Sequence, residues 1–443
     1  MTMRIAVIGA GLAGLTAAWQ LQQLGLTPLV LEAGHDPGGR ARSAPLDGAI
    51  LDVGAWSFPS SSVLTTLARS VGIGAEVVTV SATVGRPTGG RLRAAPLRSP
   101  LALLGRRVFS PDEAWHALRA RAMAGCPRAQ GPDEPAAAWV ARHFPPSFQA
   151  DVLRPLAGLF FLQDPISLSR DALLGTLASL GRARLQTFRA GMGTLATTLA
   201  TQVPVRYGAR VNALTPDDGG VQVAGDDWSD TFDAAILATP LPEAGDLLGP
   251  LLPLLARAAV AGLPYAPAIV VHLLLRARWP TTALVVLPPP GDGSSAMCGV
   301  VMQRAIHPAR VPPGCEALAL YAAAEHVAAL TTLDDQHVAE ALIEDVERWV
   351  PGTRRQVAGW RVQRWPTATA RVDVGGRARI EQLKAGLAEV SRDYSIWVAG
   401  DYLGQSSVDG AARTGLEAGT ACVAALRTAR SGCRPEATER EEG

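Results

Sequence analysis

The sequence predicts an α/β fold in which a parallel sheet domain is joined to a second, α+β domain, and three observations carry that prediction. A continuous apolar run, Arg4-Ile5-Ala6-Val7-Ile8, leads at once into Gly9-Ala10-Gly11-Leu12-Ala13-Gly14 and, after a helical pattern, into a second run, Leu29-Val30-Leu31-Glu32. The same strand-then-turn form recurs far downstream, at Phe232 to Ala238 ahead of Thr239-Pro240 and at Ser395 to Asp401. Two long insertions separate these pieces. Runs that are apolar on both faces belong to strands covered on both sides, so the three pieces are expected to share one parallel sheet.

Taken in order, Leu15, Ala18, Leu21 and Leu24 recur at helical spacing until Gly25 stops the helix. Val203 to Val211 and Val221 to Val223 predict short strands around the turn Pro216-Asp217-Asp218-Gly219-Gly220, and a helix is expected from about Asp409 to Leu426. The first insertion, Ser60 to Arg189, is rich in Ala, Leu, Arg and Pro and predicts helical segments broken by proline-containing loops. The second, Leu241 to Lys384, predicts strands at Ile269 to Leu275, Ala283 to Leu287 and Ala317 to Tyr321 and a helix near Leu333 to Trp349. The expected boundaries are therefore 1–59, 190–240 and 385–430 for the sheet domain, with 60–189 and 241–384 for the second domain. Residues 431–443 are charged, lack apolar periodicity and are expected to be a disordered tail.

Composition narrows the chemistry. The 443 residues hold 41 basic and 40 acidic side chains, a net charge of +1, and 40 of the 41 are arginines. Lys384 is the single lysine, so a Schiff base, a phosphate-loop lysine or a lysine-rich nucleic-acid surface would each have to rest on it. No nucleic-acid partner is expected. The five cysteines (Cys126, Cys298, Cys315, Cys422, Cys433) contain no Cys-x-x-Cys, and His143, His272 and His307 are isolated, so no metal site is predicted. Arg4 to Ile8 reads as a strand rather than a leader, which with the cysteine usage predicts a cytoplasmic setting. Ala258 to Leu275 lacks charge over 18 residues, but Gly262, Pro264, Pro267 and His272 interrupt it, and it reads as a loop and a buried strand. From Arg86 to Arg128 nine arginines face Asp112 and Glu113 alone. That excess is open to two readings: peripheral contact with anionic lipid or attraction of an anionic substrate, against an ordinary solvated arginine face.

The glycines carry the first chemical signal. Gly9, Gly11 and Gly14 allow a sharp turn off the strand, close approach of a pyrophosphate to bare N–H groups and tight helix packing, while Leu12 and Ala13 head a helix whose N-terminus favours an anion. Glu32, 18 residues after Gly14 at the tip of the second strand, is placed to accept hydrogen bonds from ribose hydroxyls. The bland alternative is a glycine-rich turn in a ligand-free sheet. Beyond Glu32 and Ala33, Gly38-Gly39-Arg40-Ala41-Arg42 places paired glycines and alternating guanidinium groups where they can wrap a longer diphosphate, which favours a flavin over a nicotinamide dinucleotide. Asp401 after a buried strand is placed to hold ribityl hydroxyls, and a helix starting near Val408 would aim its positive end at a reduced flavin ring.

These residues resemble the flavin-containing amine oxidase superfamily, which includes monoamine oxidases, carotenoid and phytoene desaturases and protoporphyrinogen oxidases. The likeness extends to Gly191-Met192-Gly193-Thr194-Leu195, to Ala209-Arg210-Val211, to Ala399-Gly400-Asp401 and to Val408-Asp409-Gly410-Ala411. It implies a Rossmann-like FAD-binding domain and a substrate-binding domain built from the two insertions. The implied FAD contacts are Gly9, Gly11, Leu12, Ala13, Gly14, Glu32, Ala33, Gly38, Gly39, Arg40, Arg42, Gly54, Ala55, Trp56, Val211, Gly400, Asp401, Val408 and Ala411. Amine oxidases of the superfamily commonly hold a lysine near flavin N5 on a substrate-domain strand. Lys384 instead lies in Arg379 to Leu387, where Ile380, Leu383 and Leu387 predict a helix with the lysine off its apolar face. The segment Arg364-Trp365-Pro366-Thr367-Ala368, leading to Val374-Gly375-Gly376, is more similar to the porphyrinogen-oxidase and desaturase branch. Trp56, Trp365 and Tyr402 are candidate substrate-wall residues. The resemblance thus implies hydride transfer from an apolar, conjugated or conjugation-prone small molecule to flavin N5, by desaturation or aromatisation, with oxygen or a quinone as acceptor. Amine or amino-acid oxidation, and a redox-neutral or purely flavin-binding role, stand as the alternatives.

Overall fold

The computed structural model describes residues 3–97, 99–125, 131–179, 184–217, 220–404 and 406–430. Cys126, Arg98, Arg128, the Asp218-Gly219 turn, Cys433 and the 431–443 tail lie outside the described residues. The chain divides into two compact units, one comprising Met1–Gly39, Ala196–Val260 and Gln382–Gly443, the other Arg40–Leu195 and Ala261–Glu381.

In the first unit a five-stranded sheet runs in the order Val205–Arg206, Thr27–Leu31, Arg4–Ile8, Ala234–Leu237, Ile396–Val398, with every neighbouring pair parallel. The two central runs are buried almost throughout, which is why they read as unbroken apolar stretches. The expected strand over Phe232 to Ala238 divides at Asp233, whose carboxylate accepts a hydrogen bond from the Arg4 backbone N–H at 2.7 Å; the part before it, Ser229–Phe232, joins a small antiparallel sheet. The helix Leu12–Gln23 leaves the first strand through the glycine turn and packs along the long helix Val408–Arg430. Thr16 Oγ1 donates to Ala412 O at 3.1 Å, Gln20 Nε2 to Thr420 Oγ1 at 3.1 Å, and Arg427 to Leu24 O at 3.0 Å. Contacts that advance together along both chains make the two helices parallel, with their N-termini at one end of the unit. A Cβ on Gly415 would fall 2.2 Å from Ala13 O, so a side chain there would push the helices apart.

The second unit is organised on a seven-stranded sheet in the order Val357–Ala370, Tyr265–Leu275, Glu316–Ala322, Met297–Met302, Val285–Val286, Thr83–Thr88, Arg91–Pro96. Its last two strands come from the first insertion, where the composition predicts helical segments and proline-containing loops. The signal was the Gly89-Gly90 pair: both residues have positive φ (57° and 72°), the requirement for a two-residue hairpin loop between twisted strands. Val77–Val80 and Leu185–Phe188 also pair as strands in that insertion, and helices fill much of the rest. On the long strand Tyr265–Leu275 the faces alternate. Val271, Leu273 and Leu275 pack with Val338, Leu342 and Val346 of the helix Asp335–Trp349, whereas Val270 and Leu274 face two smaller clusters on the opposite side.

The unit boundaries differ from the sequence expectation: 40–59 and 190–195 fall in the second unit, and 241–260 and 382–384 in the first. The hairpin Ser43–Leu46 and Ala49–Asp52 belongs to the second unit, because Ala49, Leu51 and Val53 are packed with Leu274, Val311 and Ala317. Conversely, residues 241–260 belong to the first, where Gly386 comes so near that a Cβ would sit 2.4 Å from the Ala256 methyl. Among the described residues no helix is long and apolar enough to cross a membrane.

Candidate flavin and substrate sites

In the first unit the glycine turn is held from several sides. Gly9 has φ +104°, and a Cβ there would lie 2.9 Å from Ala238 O; a Cβ on Gly14 would lie 1.9 Å from Gly9 O. Gly11 differs, with open space where its Cβ would be, and it precedes the first helix without any side-chain cap. The first-turn N–H groups of Leu12, Ala13 and Gly14 are thereby left for an anion, and no acidic residue stands in that turn. Gly38, φ +105°, donates its N–H to Ala10 O at 2.8 Å and closes the loop beside the turn.

Glu32 is the brace of this region. Its Oε2 accepts from Ala10 N at 2.7 Å and its Oε1 from Gly34 N at 2.8 Å, so both oxygens are oriented by backbone while each keeps a lone pair. Ala209 N donates to Glu32 O at 2.8 Å and Gly208 N to Gly34 O at 3.0 Å, which lays the segment leading to half-buried Val211 along the tip of the second strand. Two residues that sequence reasoning passed over join here. Burial, then the charges of Glu32 and Asp36, push the Tyr207 phenol above its ordinary pKa. The Thr239 hydroxyl is buried beside Gly9 without a hydrogen-bond partner in the protein. Thr239 follows the strand that ends in the turn Thr239-Pro240, so its place was legible although its role was not.

At the other edge of this sheet Asp401 is buried and accepts from Ser406 Oγ at 3.0 Å. That helix is capped by Ser407, whose side chain accepts from Gly410 N at 3.1 Å and whose carbonyl accepts from Ala411 N. Gly400 is needed by packing: a Cβ there would enter the Tyr402 ring at 2.2 Å.

Arg40, Arg42, Gly54, Ala55 and Trp56 lie in the second unit. Arg40 donates to Ala368 O at 3.0 Å and stacks over the Tyr265 ring, while Ala55 N returns to Arg40 O at 3.0 Å. Gly54 serves this close return, since a Cβ there would be 2.0 Å from Arg40 O. The motif Gly191-Met192-Gly193 is tied to the same hairpin. Met192 N donates to Asp52 Oδ1 at 2.8 Å, Gly193 N to Ser43 Oγ at 3.0 Å, and Arg310, wholly buried, donates to Asp52 Oδ2 at 2.5 Å, to Thr187 Oγ1 and to Phe188 O.

The three substrate-wall candidates do not form one group. Trp56 packs on a cluster containing Val80, Val270, Leu284, Cys298 and Tyr321, with Leu159, Leu162 and Leu185 also against it. Trp365 packs instead on the Leu51 and Leu274 cluster and donates its indole N–H to Val53 O at 2.8 Å, a scaffold role. Tyr402 is buried in the first unit. In the Trp56 cluster Cys298 and Tyr321 stay protonated at neutral pH, since burial, reinforced by the nearby charges of Glu325 and Asp52 respectively, raises both far above their ordinary pKa values. Lys384 is exposed on the helix Gly376–Tyr394, as its spacing predicted.

Residues 12–423 match the model of the family described as flavin containing amine oxidoreductase. The chain belongs to this family. It is an FAD-dependent oxidoreductase, and FAD is its cofactor. Over 82 residues it is 34% identical to the coproporphyrinogen III oxidase of Staphylococcus aureus, covering 18% of each chain. Over 71 residues it is 45% identical to the mitochondrial protoporphyrinogen oxidase of Nicotiana tabacum, covering 16% of this chain and 14% of the other. The matched segments thus span less than a fifth of these relatives. Among solved structures, the cyclohexylamine oxidase of Brevibacterium oxydans superposes with a TM-score of 0.75 at 16% identity, over 96% of this chain and 100% of the other. Reduced UDP-galactopyranose mutase superposes at 0.69 and 15% identity, over 98% and 95%. At these identities the likeness concerns the fold alone. The open helix N-terminus at Gly11, the oriented Glu32 carboxylate and the orphaned Thr239 hydroxyl fit a dinucleotide.

Proposed function

We propose that this flavin amine oxidoreductase desaturates or aromatises a largely apolar, conjugated or conjugation-prone small molecule. The observation that carries the reading is the apolar cluster packed with Trp56 in the second unit, together with the position of the single lysine on an exposed helical surface. The local likenesses to a coproporphyrinogen oxidase, a protoporphyrinogen oxidase and the hydroxyneurosporene desaturase of Rhodobacter capsulatus, 42% identical over 72 residues, point the same way.

In this reading Gly9 to Gly14 and the first-turn N–H groups hold the diphosphate, Glu32 and Ala33 the adenosine ribose, and the Val211 backbone the adenine. Gly38, Gly39, Arg40, Arg42, Gly54 and Ala55 flank the diphosphate and the flavin, while Gly400, Asp401, Val408 and Ala411 take the ribityl chain and the pyrimidine edge. Bound FAD supplies a two-electron acceptor. The Trp56 face binds substrate by apolar contact and excludes water, so a C–C bond becomes C=C by loss of a hydride and a proton. Both electrons and both protons end on oxygen, as hydrogen peroxide, or on a quinone, as quinol. No side chain is required as a strong acid or base. Glu32→Gln places an amide NH₂ against a backbone N–H and is expected to weaken FAD binding by about 2 kcal/mol, roughly thirtyfold, read by titrating apoprotein with FAD.

The direct test is anaerobic bleaching of the flavin absorbance by porphyrinogens and by partly saturated polyenes. A second reading, amine oxidation, has its own support in the putrescine oxidase of Kocuria rosea, 43% identical over 70 residues. Peroxide release from an amine panel, with no bleaching by the apolar panel, would replace the first reading by the second. Turnover without consumption of any acceptor would replace both by redox-neutral use of the flavin.

A further inference from the structure

The arginine-rich segment takes no part in the site above, and its side chains separate into two sets. Arg86 is fully buried: it donates to Glu113 and to the carbonyls of Pro288 and Asp151, so this pair contributes nothing to the surface. Among the described residues up to Gly125, Arg91, Arg93, Arg106, Arg107, Arg119 and Arg121 then stand against Asp112 alone.

Beside these cations two successive helices turn apolar side chains outward. In Pro100–Gly105, Ala102 and Leu103 pack inward beside Val108 and Phe109, while Leu101 is 84% and Leu104 38% exposed. In Pro111–Ala124, Ala117, Ala120 and Ala124 pack inward, and Trp115 and Leu118, one turn apart on the opposite side, are 64% and 51% exposed. Arg106, Arg107 and Arg119 are exposed next to them in the chain. Aliphatic and indole side chains flanked by guanidinium groups combine the two attractions that hold a helix in a lipid headgroup layer.

We propose that the faces of Pro100–Gly105 and Pro111–Ala124 dock peripherally on an anionic lipid bilayer. Charge selects this occupant. A two-fold contact with a second copy would set the same arginines against themselves, whereas anionic headgroups neutralise them while the leucines and Trp115 enter the acyl boundary. The proposal is independent of the flavin chemistry.

The test is flotation of the purified, flavin-loaded chain with vesicles of phosphatidylcholine, with and without phosphatidylglycerol. Binding is expected with phosphatidylglycerol, and it should weaken as salt rises. Arg106→Gln with Arg107→Gln should lower the partition coefficient by about fivefold per arginine. Leu101→Ser with Trp115→Ser should lower it by about tenfold per side chain even at low salt. Circular dichroism and flavin content confirm that each pair is folded, and Leu118→Ser with Arg91→Glu is a second pair should either fail. Equal flotation with and without phosphatidylglycerol, no flotation at all, or a dimer that these variants dissociate would overturn the proposal. None of those outcomes touches the oxidoreductase reading, which is scored on flavin absorbance without lipid.

Discussion

The two units solve the problem of buried polarity differently. In the first, close approach is arranged with glycines: Gly9, Gly14 and Gly415 sit where a Cβ would strike backbone, and the polar groups exposed by the turn are left facing one end of the parallel sheet. In the second, polar side chains are buried outright. Arg310 with Asp52, and Arg86 with the Pro288 carbonyl beside its Glu113 partner, tie together segments far apart in the chain, and His272 is enclosed in a strand with neither ring nitrogen bonded within the protein. The first arrangement leaves donors for a ligand; the second spends them on holding a scaffold. Four changes sharpen or break this contrast.

The largest effect is expected at Arg310. Arg310→Met leaves the Asp52 carboxylate buried without its guanidinium, and removing one partner of a buried pair costs about 3–5 kcal/mol. Urea denaturation of the apoprotein measures it, and Asp52→Leu in the same chain should restore part of the loss. An unchanged midpoint in Arg310→Met would mean that this pair does not hold the second unit.

Acid sensitivity comes next. Burial, with a smaller push from Arg361, lowers the His272 pKa from 6.5 to about 3. Above 6.5 the group is neutral in both states and adds no pH dependence. As pH falls below that value the unfolded chain takes up a proton that the folded chain refuses until near 3, so stability drops by about 2–3 kcal/mol by a pH of about 4.5. His272→Leu should flatten this limb of the stability profile. A profile identical to the parent chain would place the acid sensitivity elsewhere.

Gly14→Ala tests the other strategy. The new methyl meets Gly9 O, and such overpacking costs about 1–3 kcal/mol; because the turn itself must move, the protein should also lose flavin on gel filtration. Retention of stoichiometric FAD would show that the turn tolerates movement. The smallest effect is expected at Trp365→Phe, which removes the bond to Val53 O for about 1 kcal/mol and should leave turnover intact if Trp365 is scaffold. A raised KM with unchanged stability would return it to the substrate wall.

Much of the first unit was legible because its determinants are local. A strand, a glycine turn, a helix and a strand with a terminal acid follow one another within thirty-two residues, and the Glu32 carboxylate is held by its near neighbours Ala10 and Gly34. The helix start at Val408 was likewise announced by the strand and turn before it. The strand hairpin at Gly89-Gly90 was visible in principle but was hidden by the helix-rich composition around it. Trp365 shows the opposite limit, since an aromatic residue has the same appearance in sequence whether it lines a pocket or anchors a carbonyl.

By itself, then, the sequence determined the parallel sheet, the glycine turn and the off-face position of Lys384, because spacing along one element dictates which side chains share a face. Only the tertiary structure decided which charges are buried. Arg310 and Asp52 lie 258 residues apart, and Arg86 belongs to the same arginine-rich run as exposed Arg106 and Arg107. Whether a guanidinium meets a carboxylate, a carbonyl or solvent depends on which distant strands the chain brings beside it, and no local pattern encodes that.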